Sequence, residues 1–152
     1  MSTDHTVSRL VNGHQAAVYL TEPPSPDTHP LTLSTLHDND LAVVFTYASA
    51  ADSTLARAAR NLLRSMGKDD SVTGMRMHAS DSVHIAPIWL IAHRTRLVIV
   101  ASAQIWPANV MTKFLRLVLA TPASVLLVAD HGRSHEVAKT CIGYTPGERE
   151  WS

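Results

Sequence analysis

The chain has 152 residues, 45% of them apolar, and 13 Lys and Arg balance 13 Asp and Glu for a formal charge of zero. That is the size of one domain able to bury a core unaided, and it excludes a disordered chain dominated by like charge. Neutrality also removes the basic excess that counterion release rewards, so nucleic acid is not the expected main partner. A single cysteine, Cys141, excludes an internal disulfide and a thiolate zinc cluster. No apolar run approaches the roughly 20 residues of a membrane span. The opening MSTDHTVSRL lacks the basic-then-apolar build of a signal peptide, so a reducing, cytoplasmic setting is expected.

In chain order, Asn12-Gly13 sits between two short apolar runs and suits a type I′ hairpin turn. Residues 21–30, TEPPSPDTHP, hold four prolines and read as a linker, so residues 1–40 are expected to form an N-terminal arm. The run 41–45 (LAVVF) marks a buried strand. Asp52 and Ser53 then offer N-cap chemistry for a helix to about Met66, and Gly67 is its natural stop. A weaker strand is expected at 72–78, and the segment 83–93 is expected to be helical at least from Pro87, which suits a first turn. A strand at 97–100, a helix from Pro107 to about Ala120 and a strand at 125–129 follow. A short helix at 133–139 and a strand at 140–144 close the chain.

Buried runs alternating with amphipathic helices predict βαβ crossovers. The expected fold over 41–152 is a three-layer α/β domain, P-loop-like or Rossmann-like. Its mostly parallel sheet would have about five strands, with helices on both faces.

Function in such sheets gathers beyond the carboxyl ends of the strands. The segment 46–53 aligns without a gap on the P-loop pattern G-x-x-x-x-G-K-[ST]. Thr46 and Ala51 stand for the glycines, Asp52 for the lysine, and Ser53 is retained. After the strand at 97–100 comes Ala101-Ser102-Ala103-Gln104, where AAA+ ATPases often carry Asp-Glu-Ala-Gln; only Ala103-Gln104 matches. Over residues 41–130 the chain thus resembles the P-loop ATPases, especially the AAA+ helpers of bacterial mobile elements.

The resemblance implies a nucleotide-binding frame whose working groups are lost. An aspartate in place of the lysine would set like charge beside a triphosphate. Ala51 adds a Cβ where close backbone approach is needed. A non-catalytic regulatory or accessory subunit, without a cofactor and acting through a protein partner, is what it implies. The other reading is an unrelated α/β protein in which 46–52 is an ordinary loop. These readings differ in strand order: a P-loop sheet sets strand 41–45 beside 124–129, an ordinary doubly wound one beside 96–101.

Other residues offer chemistry of their own. Asp130 and His131 sit at a strand end and lead a second reading, a small enzyme or ligand-binding protein using the loops 46–53 and 101–106. His131 and His135 have i, i+4 spacing, the weak metal candidate in the chain. Ser49, Ser53 and Ser102 lack the G-x-S-x-G elbow of a hydrolase. Trp89, Trp106 and Phe114 are the expected interface residues. The apolar breadth of Ile85–Ile91 and Val110–Leu119 predicts self-association, most simply a symmetric dimer.

Overall fold

The computed structural model describes residues 18–23, 42–68 and 79–142. They form an α/β fold around an all-parallel sheet with four described strands. The strands are β1 (Val18–Thr21), β2 (Val43–Tyr47), β3 (Leu97–Ala101) and β4 (Ser124–Val128). Between them run α1 (Leu55–Ser65), α2 (Ala79–Ala92) and α3 (Ala108–Leu119), and α4 (Ser134–Ile142) follows β4. The hairpin turn at Asn12-Gly13, the proline-rich linker beyond Pro23 and the strand at 72–78 lie outside the described residues.

Spatial order across the sheet is β1-β4-β3-β2. β2 therefore borders β3, with Val43 opposite Leu97 and Tyr47 opposite Ala101. That is the ordinary doubly wound neighbour relationship, not the one that the P-loop alignment of 46–53 requires. β1 holds the place beside β4, with β3 beyond it. Its four residues come from the segment read as an arm, so the sheet reaches back into 1–40 and the boundary at residue 41 does not separate arm from domain.

Period-two alternation divides the strand side chains between two faces. Val44, Val98, Val100, Val125 and Leu127 point to one face, where they meet buried residues of all four described helices. Val43, Phe45, Leu97, Ile99, Leu126 and Val128 form the other apolar face. Among the described helices, the shared side of α1, α2 and α3 follows from handedness. The steps β2→β3 and β3→β4 move in the same direction across the sheet, and right-handed crossovers then lie on the same face.

Local chemistry sets the helix ends. Thr54, not Asp52 or Ser53, caps α1, its side chain accepting from the Arg57 N–H. Gly67 stops α1 as expected, at φ 75°, with Gly67 N–H to the Arg64 carbonyl and Lys68 N–H to Leu63. Those two bonds are a Schellman motif. α2 begins earlier than expected and carries Pro87 inside it. Ala86 and Leu90 on that helix are fully buried, so packing outweighs the bond that proline removes. α4 runs on to Ile142, through the start of the strand expected at 140–144.

Candidate functional site

The parallel register brings Thr21, Tyr47, Ala101 and Val128 to one level. The segments that leave them, 22–23, 48–54, 102–106 and 129–134, form the carboxyl edge where ligands of such sheets bind. Each segment is tied to its neighbours.

The loop after β2 closes on itself. Ser49 N–H donates to Asp52 Oδ2 at 3.1 Å, Asp52 N–H to the Ser49 carbonyl at 2.9 Å, Ala51 N–H to Ser49 Oγ at 3.1 Å, and Ser53 N–H to the Ala51 carbonyl at 2.9 Å. A phosphate cradle needs such amides aimed outward; these four are engaged within the loop. Thr46 lies inside β2, buried, and its hydroxyl accepts from Ser65. Ala51 and Ser53 are exposed. Asp52 is buried, and Trp106 Nε1 donates to its Oδ2 at 2.9 Å.

Ser102 follows β3 in the left-handed conformation, φ 55° and ψ 41°. That turn leads into a short 3-10 segment, Ala103–Ile105, which sends Gln104 toward β4 and Trp106 back toward Asp52. Ser102 Oγ donates to Asp130 Oδ1 at 2.9 Å and Gln104 Nε2 donates to Oδ2 at 2.7 Å. The Asp130 N–H returns a bond to Gln104 Oε1 at 3.0 Å. Both Asp130 carboxylate oxygens are thus held by the chain.

The end of β1 meets the loop after β4. Glu22 Oε2 accepts from Gly132 N–H at 3.1 Å and Ser134 N–H at 3.2 Å, so the carboxylate just after β1 occupies the start of α4. The Ser134 side chain first, then its backbone N–H, holds the Glu22 carboxyl below its ordinary range. Gly132, at φ 80°, allows the turn that presents these amides. His131 Nδ1 lies 3.0 Å from the Pro23 carbonyl, which only accepts, so this nitrogen carries the proton.

The residues expected to act here are therefore placed as follows. Asp130 and His131 share the edge but point to different partners. His131 lies in the turn before α4 and His135 is exposed on α4, so the two do not make the helical ligand pair that their spacing suggested. Among the described residues no group of three His, Cys, Asp or Glu could hold a metal ion.

Two interface expectations are corrected. Phe114 is fully buried and Trp106 is 4% exposed, their rings 4.6 Å apart in the chain's own core. α3 lies between α1, α2 and α4 and buries Val110, Met111, Phe114, Leu115, Leu117 and Val118, so its apolar breadth is spent within the chain. Trp89 is only half-buried, with Lys68 Nζ 4.3 Å from its ring centroid and the His93 ring tilted against it at 5.5 Å. Sequence reasoning missed Glu22, which carried no signal because its partners lie far along the chain, and it marked Gln104 only as a match to the AAA+ pattern, not as the partner of Asp130.

At the other end of the strands, a cleft of about 330 Å³ is lined by Leu90, Ile91, Arg94, Thr95, Arg96, Pro122 and Ser124. No helix of the described residues is long and apolar enough to cross a membrane. In comparison with known proteins, no family model matches this chain, and neither does any curated protein.

Proposed function

We propose that this chain is a non-catalytic, ATPase-like domain that works through protein contacts, as a regulatory or accessory subunit. The observation that carries the reading is the closed carboxyl edge. The amides of Ser49, Ala51, Asp52 and Ser53 are engaged within their loop, and Glu22 fills the helix start at Gly132 and Ser134.

Strand order supports the frame in a form different from the alignment. In a P-loop sheet the phosphate-loop strand borders 124–129 with 96–101 beyond it, and β1 holds that place. The residues after β1 read Glu22-Pro23-Pro24-Ser25-Pro26, with neither glycine nor lysine. Glu22 would repel a phosphate there. At the end of β3, Ala101 and Ser102 supply no metal-binding or water-activating acid.

The test is calorimetric titration with ATP, with and without magnesium. The reading expects no saturable heat up to about 1 mM nucleotide, a free energy of about 4 kcal/mol. Tight magnesium-dependent binding, or turnover, would overturn it.

A further inference from the structure

The end of α2 repeats the stop of α1 with a different residue. Arg94 N–H donates to the Ile91 carbonyl at 3.0 Å and Thr95 N–H to the Leu90 carbonyl at 2.9 Å, the pair of bonds that Gly67 and Lys68 make after α1. Gly67 stands there at φ 75° and Arg94 at φ 54°. Glycine takes that conformation freely, whereas an arginine is strained in it. The strained turn sets Arg94 among the residues that line the cleft of about 330 Å³ at the amino ends of β3 and β4. Strain of this kind persists at ligand sites, where it fixes a side chain in place.

Arg96 lines the same cleft from the position before β3. Its backbone is fixed on both sides: the N–H donates to the Ala42 carbonyl at 2.8 Å, and the carbonyl accepts from Ser124 N–H at 2.8 Å. Thr95 lies between the two arginines, only 3% exposed, and it too lines the cleft. Among the described residues, no ion pair or side-chain hydrogen bond engages the side chain of Arg94, Thr95 or Arg96. No lining residue is acidic, so nothing in the cleft neutralises the two guanidinium groups. Leu90, Ile91 and Pro122 give it an apolar wall.

Two guanidinium groups and a hydroxyl beside an apolar wall, on a backbone already fixed, are the complement of an oxyanion carried on a small apolar body. We propose that this cleft binds a small organic anion. Arg94 and Arg96 hold its carboxylate or phosphate, Thr95 donates to the same group, and the apolar part lies against Leu90, Ile91 and Pro122. A volume of about 330 Å³ is near the lower end of ligand pockets, roughly 300–1,000 Å³, so the body is smaller than a nucleoside triphosphate. The site goes beyond the contact reading and does not rest on it. It lies at the opposite end of the strands from the loops 48–54 and 129–134 and has no acid to hold magnesium, so the nucleotide titration decides that reading separately.

Amide NMR on the full chain, titrated to about 10 mM with hexanoate, phenyl phosphate, inorganic phosphate and neutral hexanamide, reads the site directly. Saturable shifts over Ile91–Arg96 are expected from hexanoate, phenyl phosphate or both, with a dissociation constant of about 1 mM or tighter. Whichever binds more tightly identifies the head group as carboxylate or phosphate. Hexanamide and inorganic phosphate should bind about tenfold more weakly, the one lacking the charge and the other the apolar body. Arg94→Gly should melt no lower than the parent, because glycine suits the turn, and yet weaken the anion about fivefold or more. Arg96→Gln, which keeps the backbone bonds of that residue, should weaken it to a similar extent. Should Arg94→Gly cost the fold, Arg96→Gln decides the matter alone. The absence of saturable shifts from both organic anions overturns the proposal. So does equal binding of hexanamide or of inorganic phosphate, or a folded variant with the affinity of the parent.

Discussion

The indole N–H of Trp106 donates to the buried carboxylate of Asp52 at 2.9 Å, across 54 residues of sequence. This bond links the loop after β2 to the segment after β3 and gives the polar end of a core tryptophan its partner. Trp106→Phe keeps a ring against Phe114 but removes the donor, leaving Asp52 Oδ2 with the Ser49 N–H. The expected loss is about 1–3 kcal/mol in urea unfolding, the range for a buried bond to a charged group. A variant within about 0.5 kcal/mol of the parent would contradict the bond.

How far the sequence discloses these features depends on distance along the chain. The runs 41–45, 97–100 and 125–129 announce β2, β3 and β4 because a strand covered on both faces needs no polar alternation. Gly67 announces its stop because the left-handed turn favours glycine. β1 stays hidden. Its four residues follow Asn12-Gly13 and precede the prolines, and nothing local reveals that they pair with β4. Asp52 is legible as a loop residue, yet its commitment to Trp106 is tertiary. The outward reading of Phe114 fails for a similar reason: the periodicity of α3 shows how much apolar surface it carries, not that α1, α2 and α4 all lie against it.

Glu22 predicts a pH dependence with a definite sign. Hydrogen bonds from Ser134 hold its folded-state carboxyl below the ordinary value of 4.5, so the unfolded chain binds its proton first as pH falls. The contribution is therefore present above about pH 4.5 and lost as pH drops through the lower folded value. Urea midpoints measured from about pH 3 to about pH 7 should fall more steeply toward acid in the parent than in Glu22→Gln. Comparison of the two chains removes the parallel contribution of Glu136, which Arg133 lowers in the same direction. Identical profiles would contradict the Glu22–α4 contact.

Phe114 and Ile88 should respond in opposite ways. Phe114→Ala opens a cavity under α3 and should cost about 3–5 kcal/mol of folding stability. An exposed Ile88→Glu should move stability by no more than about 0.5 kcal/mol. Thermal melts of both variants check this. An unchanged melt for Phe114→Ala would return that ring to the surface.

The claim that the carboxyl edge is closed by the chain's own groups is tested most directly by amide NMR under titration with magnesium and ATP. The signals of Ser49, Ala51, Ser53, Gly132 and Ser134 report the two places where a phosphate would bind. The account predicts that they stay in place up to about 1 mM nucleotide, a concentration that would half-saturate a site of only about 4 kcal/mol. Saturable, magnesium-dependent shifts at Ser49–Ser53, or at Gly132 and Ser134 with release of Glu22, would contradict it.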